Sequence, residues 1–196
     1  MTRHRLIFPL LVSLTGCGAP GVVPQDSYYR MGDPESVAPA GAMLEGTVVV
    51  PRFLADGLVS ERRLIYVEEN SPQVLRQYNF HFWSESPTRM IQERTVEYLR
   101  RARIAATVVT PEFRAAADYQ LTGKIRRLEQ IRGSQPGIVV SLEFGLYRVR
   151  DNRLLHLQNY VQEMETDGND VGRATAAMSA AVIAILSRLT EDLSRL

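Results

Sequence analysis

The only cysteine of the chain, Cys17, is the residue whose type and position most directly indicate chemistry. It ends the run Leu14-Thr15-Gly16-Cys17, which follows a short basic start and an apolar stretch over residues 6–14. A basic start, an apolar stretch and small residues, in that order, are typical of a secretory signal peptide. We therefore expect residues 1–16 to be a signal peptide that directs the chain out of the cytoplasm.

The end of this segment resembles the signal of bacterial lipoproteins. In that class the chain is cut between the residues that are here Gly16 and Cys17, and the cysteine is lipidated and begins the mature protein. The alternative is a cysteine buried in a core. A single acyl chain binds a membrane only marginally, but lipoproteins of this kind carry three, which implies stable anchoring. Gly18 rather than aspartate follows the cysteine, and by resemblance to Gram-negative lipoproteins this favours the outer membrane.

The charge balance of the mature chain gives no reason to expect that its overall field attracts nucleic acid or an anionic membrane surface. The full chain of 196 residues carries a formal charge of +1, and removing residues 1–16 takes away two arginines and no acid. The remainder has 21 basic and 22 acidic residues, a net charge of −1, so it has no field that would gather a polyanion. The full chain has 45% hydrophobic residues, which is enough for one domain with a core, and its lone thiol excludes an intramolecular disulfide.

Two motif-like patterns lack the context that their chemistry requires. The glycines of residues 16–21 match a dinucleotide-binding fingerprint, but no strand precedes them and no helix follows. The acidic residues of 163–167 followed by Gly168 resemble the opening of a calcium loop, yet Ala174 stands where the closing glutamate belongs. We therefore expect no metal and no cofactor.

Nothing in the sequence indicates an enzyme. After cleavage two histidines remain, His81 and His156, and both lie in predicted strands. No serine lies in a nucleophile elbow. The alternative is a periplasmic enzyme or a small-ligand carrier, and it requires a deep pocket that contains one of these histidines beside an acidic partner. A structural lipoprotein that assists outer-membrane assembly is a third possibility.

Residues 17–43 are predicted to be the lipidated N-terminus and a flexible tether. Prolines and glycines recur through this segment, and no apolar period is visible. Tyr28 and Tyr29 interrupt it, and they either dock on the domain as an edge segment or remain exposed. The folded domain is predicted to span residues 44–196.

Strand patterns and helix patterns alternate along the predicted domain. Val74–Trp83 alternates in polarity, Gly123 suggests a bulge or a close approach, and Asp151-Asn152 indicates a hairpin turn. Ser86-Pro87 is typical of a helix start, and an alanine-rich helix is predicted from about Val171. The order predicts an α+β domain, a two-layer sandwich of a mostly antiparallel sheet covered by two helices.

Several segments together resemble the PqiC-like auxiliary lipoproteins of ABC-type transport systems, which are partners of mammalian-cell-entry (MCE) proteins. The resemblance covers nearly the whole mature chain, although each motif is short, and Phe82 stands where many members have an arginine. The segments are Tyr28-Tyr29, Leu64-Ile65-Tyr66, Gln77 to Trp83 with Ser86-Pro87, Asp118 to Leu121, and the alanine-rich last helix.

The resemblance implies a non-catalytic accessory of an envelope lipid-transport system. An ABC/permease complex in the inner membrane and its MCE tunnel would move phospholipid or another lipid between membranes. The lipoprotein would dock the MCE protein at the outer membrane, and it could form a ring of identical subunits. Tyr66, Tyr78 and Trp83 are the candidate partner contacts, with ordinary burial in the sheet as the alternative for each.

Overall fold

The computed structural model describes residues 24–33, 36–40 and 44–196. Nine strands and two α-helices are present in these residues, joined by short 3-10 turns and loops. The strands are β1 Ser27–Tyr29, β2 Leu44–Val49, β3 Leu54–Ala55, β4 Arg63–Glu68, β5 Ser71–Trp83, β6 Ala105–Val109, β7 Tyr119–Arg132, β8 Gly137–Arg148 and β9 Arg153–Glu165, and the helices are α1 Pro87–Arg101 and α2 Val171–Leu193.

Strand β7 organises the sheet because both of its edges are paired, one with a single long strand and the other with three short ones. On one edge it pairs with β8 in antiparallel register, and β8 continues to β9 through a hairpin. On the other edge three short strands follow one another, β2, β3 and β4, all parallel to β7. Strand β2 extends the sheet to β6, and β4 extends it through β5 to β1.

The prediction of a mostly antiparallel sheet in a two-layer sandwich is therefore wrong, although the α+β class and the two helices are confirmed. Among the described residues five strand pairings are parallel and three are antiparallel. The sheet is mixed and curls into a half-barrel. Sequence patterns predict hairpins well because the two strands are adjacent in sequence. They do not predict which distant segments pair in parallel.

Both helices begin and bury their faces as their sequences predict. Helix α1 begins after Ser86 with Pro87 at its first position, and its apolar residues at helical spacing, which include Ile91 and Leu99, are buried. In α2 the side chain of Asp170 accepts a hydrogen bond from the Arg173 backbone N–H and caps the first turn. The apolar residues at helical spacing along α2 are also buried, at Met178, Val182, Ile185, Leu189 and Leu193.

Helix α2 is long and apolar enough to cross a membrane by length and composition alone. The apolar run Ala174–Leu186 alone is shorter than the roughly 20 residues that a span needs, whereas the whole helix has 23 residues. However, 56% of its most apolar window is buried inside the domain, and it packs on β8 and β9. Such burial is typical of the core helix of a folded domain.

The described part of the predicted tether contacts the domain. Strand β1 pairs in parallel with the end of β5, with Tyr28 beside Phe82 and Tyr29 beside Trp83. Met31 is buried, and its carbonyl accepts a hydrogen bond from Arg94 of α1. Of the two alternatives for the tyrosine pair, the structure shows the docked edge segment, so packing extends N-terminal to residue 44.

Candidate functional site

Three of the predicted features lie outside the described residues: the signal peptide over residues 1–16, the cleavage site between Gly16 and Cys17, and lipidation at Cys17. The remaining candidates, Tyr66, Tyr78 and Trp83, lie on adjacent strands β4 and β5. The structure brings the two tyrosines together and separates the tryptophan from them.

Tyr66 and Tyr78 form a half-buried aromatic pair with a cation beside it. Their ring centroids are 4.5 Å apart. The guanidinium of Arg132, at the end of β7, lies 4.9 Å from the Tyr66 ring centroid and 5.9 Å from that of Tyr78. The nearest carboxylate to this guanidinium, that of Glu68, is 3.8 Å away. A cation over aromatic faces is attracted by the ring quadrupole, so Arg132 holds both rings in place.

The hydroxyl of Tyr78 points into the sheet. It donates a hydrogen bond of 2.7 Å to Oε1 of Gln130, a side chain that is only 1% exposed. Burial raises the pKa of Tyr78 to about 12, so this hydroxyl keeps its proton and acts as a donor. The Nε2 of Gln130 and the Nε of Arg132 are buried and have no hydrogen-bond partner among the described residues. We name Tyr66, Tyr78, Gln130 and Arg132 the tyrosine–arginine cluster.

A second aromatic contact ties this cluster to the N-terminal strand. The His81 ring lies 5.3 Å from that of Tyr78 in an edge-on arrangement, and its Nδ1 is 2.8 Å from the hydroxyl of Tyr29. Alternation along β5 predicts Tyr78 and His81 on opposite faces, and this is wrong. The register between β4 and β5 shifts between the pairs Arg63–Phe82 and Ile65–Gln77, which changes the face on which Tyr78 lies.

Trp83 belongs to the hydrophobic core. It is 2% exposed and lies among the core side chains. Its backbone is a junction, because its N–H donates to the carbonyl of Arg62 and its own carbonyl accepts from the Arg62 guanidinium. A side chain in this position stabilises the end of β5, and ordinary burial, the alternative stated for all three candidates, describes it.

The other histidine joins the opposite end of the sheet to α2. His156 Nε2 is 3.0 Å from the Tyr160 hydroxyl, which donates a 2.6 Å hydrogen bond to Asp192 Oδ2. Burial, together with the hydrogen bond to Asp192, raises the pKa of the Tyr160 hydroxyl. The arrangement fixes the last turns of α2 on β9.

Two grooves of the domain run along α2. One of about 570 Å³ is lined by the segment around Arg30 and Asp33 and by small residues of α2 such as Ser179 and Ala180. Neither histidine lines it. Within the described residues no group of three or more His, Cys, Asp or Glu side chains could hold a metal ion.

Sequence reasoning missed Gln130, Arg132 and Tyr29 as members of the site. Gln130 and Arg132 lie near the end of the long strand β7, where polar residues in the sequence suggest an exposed strand end. Only the pairing of β7 with β4 places them beside Tyr66. Tyr29 is 52 residues from His81 in sequence. The pair Tyr28-Tyr29, which interrupts a segment rich in proline and glycine, was the one sequence signal for Tyr29.

The model of a family described as ABC-type transport auxiliary lipoprotein component matches residues 29–190, which is most of the chain. The chain belongs to this family. The match confirms the resemblance stated above, and it takes in Tyr29 at the end of β1, the tyrosine–arginine cluster and most of α2. A lipoprotein component of such a system works in the Gram-negative cell envelope.

The amino-acid sequence of this chain is only distantly similar to those of individual proteins, whereas its fold is more similar to theirs. An uncharacterized protein of Bradyrhizobium diazoefficiens is 22% identical over 187 residues, which are 93% of this chain and 47% of the relative, so the chain spans about half the relative's length. The crystal structure of protein XCC0632 from Xanthomonas campestris is similar with a TM-score of 0.73 and 19% identity, over 84% of this chain and 93% of that one. The PelC dodecamer of Paraburkholderia phytofirmans has a TM-score of 0.51 and 14% identity, over 81% and 93%.

Proposed function

We propose that this protein is the lipid-anchored accessory subunit of an ABC/MCE envelope lipid-transport system, and that it docks the MCE component at the outer membrane. The observation that carries the proposal is the family match over residues 29–190. The predicted lipidation of Cys17 supplies the anchor, and Gly18 favours the outer membrane. The subunit is not catalytic, and ATP hydrolysis belongs to another chain of the system. Phospholipid is the proposed cargo.

The tyrosine–arginine cluster is the proposed contact for the MCE partner. Tyr66 and Tyr78 are half-buried, and Arg132 beside them has a buried Nε for which the described part of the chain offers no hydrogen-bond partner. Aromatic and arginine side chains dominate the energetics of protein interfaces. The proposal keeps these two tyrosines as contacts and assigns Trp83 the support of β5 from the core. A ring of identical subunits is part of the proposal, because a protein of similar fold, PelC, is a dodecamer.

The test compares tagged wild type with Cys17→Ala in membrane fractionation and affinity purification. We expect wild type in the outer membrane together with an MCE subunit, and the variant mislocalised. A correctly localised wild type that repeatedly recovers no transporter component would refute the docking role. Tyr66→Ala and Tyr78→Ala then test the contact, with exposed Phe113→Ala as the matched control.

The small-ligand or enzymatic alternative has one observation in its favour, the chain His156, Tyr160, Asp192. These hydrogen bonds couple a histidine to a carboxylate through a hydroxyl, although none of the three residues lines the groove of about 570 Å³ along α2. His156→Gln separates the two functions: it would impair an enzyme or carrier, whereas the docking function requires only that the domain fold.

A further inference from the structure

The docking of β1 leaves a short connection between the domain and its membrane anchor. Nine residues separate Cys17 from Ser27, where β1 begins. Fully extended, this connection spans at most about 35 Å, which is less than the roughly 40 Å diameter of a domain of this size. If Cys17 is lipidated, as proposed above, Ser27 stays within this distance of the bilayer, and the edge formed by β1 and β5 is the described part of the domain next to the anchor.

The surface at this edge is aromatic and basic. Tyr28 is 58% exposed and stacks on Phe82 with ring centroids 5.5 Å apart. The guanidinium of Arg62 lies 5.6 Å from the Tyr28 ring centroid, and that of Arg63 lies 5.8 Å from the Phe82 ring centroid. Phe80, two residues before Phe82 on the same strand, is 40% exposed. We name these five residues the aromatic–arginine patch.

The patch is separate from the tyrosine–arginine cluster. Tyr28 and Phe82 are direct neighbours in sequence of Tyr29 and His81, which contact each other at the cluster. Successive strand residues point to opposite faces, so where β1 pairs with β5 these strands present Tyr29 and His81 on one face and Tyr28 and Phe82 on the other. The patch is therefore available when the cluster is occupied by a partner.

We propose that the aromatic–arginine patch rests on the membrane that holds the lipid anchor and binds its anionic phospholipid headgroups. Aromatic rings favour the boundary between headgroups and acyl chains, and arginines beside them reach anionic lipids. Two acidic residues beside the patch in sequence have other partners: Asp26 accepts a hydrogen bond from Tyr28, and Glu61 accepts one from Gln77. The patch fixes the orientation of the domain, while the acyl chains supply the anchoring.

The experiment uses the full-length lipidated protein, reconstituted in vesicles that contain phosphatidylglycerol. Acylation consumes the only native thiol, so Phe80→Cys introduces a single site for a nitroxide spin label, and Phe113→Cys is the matched control. Phe113 is 69% exposed and follows β6, at the other end of the strand order from β1. Collisions with oxygen and with a water-soluble nickel chelate report whether each label lies in lipid or in water.

We expect the label at position 80 to gain collisions with oxygen and to lose collisions with nickel, and the label at 113 to remain in water. Arg63→Gln in the same protein should weaken the contact about five-fold, whereas Arg150→Gln in the β8–β9 turn should not. Vesicles of phosphatidylcholine alone should show less contact. Thermal unfolding of each variant confirms that it is folded.

Three results would overturn the inference. An acylated protein whose label at 80 stays in water refutes it and leaves the anchor and the docking role intact. A label shielded only after addition of the copurified transporter component shows that the patch binds protein instead. A mass spectrum without acyl chains removes the proposed anchor at Cys17 and this inference together.

Discussion

The two edges of β7 are built in different ways, and the difference explains which strand pairings could be predicted from the sequence. One edge meets β8 over twelve paired positions, and β8 meets β9 through one turn. The other edge meets β2, β3 and β4 in succession through two or three pairs each. A continuous hairpin depends on local turn chemistry, whereas the segmented edge depends on packing of side chains that are distant in sequence.

The largest expected effect comes from the side chain that joins both edges in the core. Phe144 of β8 is fully buried and packs edge-on against Phe53 of the segmented side, with ring centroids 5.5 Å apart, and against Tyr160 of β9. Phe144→Ala should lower the free energy of unfolding by about 3–5 kcal/mol. Urea unfolding measures this, and exposed Phe113→Ala should change it by less than about 0.5 kcal/mol. Similar losses in both variants would contradict the packing.

The next effect isolates the segmented edge. A Cβ added at Gly123 of β7 would lie 2.4 Å from the ring of Phe53, the residue that precedes β3. Gly123→Ala should therefore cost about 1–3 kcal/mol through overpacking. The double variant Gly123→Ala/Phe53→Leu should recover part of the loss, and Gly32→Ala, where only ordinary contacts follow, serves as control. Equal stability of Gly123→Ala and wild type in urea would show that Phe53 moves freely.

Smaller losses of stability are expected when one aspartate from each edge is replaced. Asp118 accepts a 2.8 Å hydrogen bond from the backbone N–H of Thr47 and so attaches β2 to the start of β7. Asp151 binds Arg148 within the β8–β9 turn. Asp118→Ala should cost about 1 kcal/mol because the attachment of β2 is lost, and Asp151→Ala should cost less because the hairpin retains its ladder. The reverse order in thermal unfolding would show that the segmented edge does not depend on this bond.

The smallest effect depends on pH. Glu69, just after β4, accepts hydrogen bonds from the hydroxyl and backbone N–H of Ser134 and the backbone N–H of Gln135, and these bonds lower the pKa of Glu69 below its ordinary value of 4.5. The folded state therefore favours the ionised form. The stabilisation is complete above pH 4.5 and disappears as the pH falls through the lowered pKa.

Unfolding midpoints of Glu69→Gln and wild type should accordingly differ at neutral pH and converge below the lowered pKa. Glu163→Gln on β9 is the control, and its difference from wild type should not follow this pattern. A constant difference between Glu69→Gln and wild type from neutral to acid pH would exclude the carboxylate as the cause.

The local elements could be predicted because their determinants are contiguous. Serine and proline before α1, aspartate before α2 and the apolar stripes of both helices predict their starts and buried faces, and these predictions are confirmed. Gly123 predicts a close approach, which the Phe53 ring confirms. The strands of the β7–β8–β9 meander follow from alternation and turn residues. The family could also be recognised, from short segments in a fixed order.

The sequence by itself determined the secretion-type start, the lone cysteine, the helices and the hairpin, because each depends on residue types at short spacing. Only the tertiary structure decided the parallel segmented edge, the docking of Tyr29 at His81, the burial of Trp83 and the meeting of Tyr66 with Gln130 and Arg132. These features join residues far apart in the chain. Their free energy comes from packing and hydrogen bonds that exist only once the sheet has curled, and no local pattern encodes them.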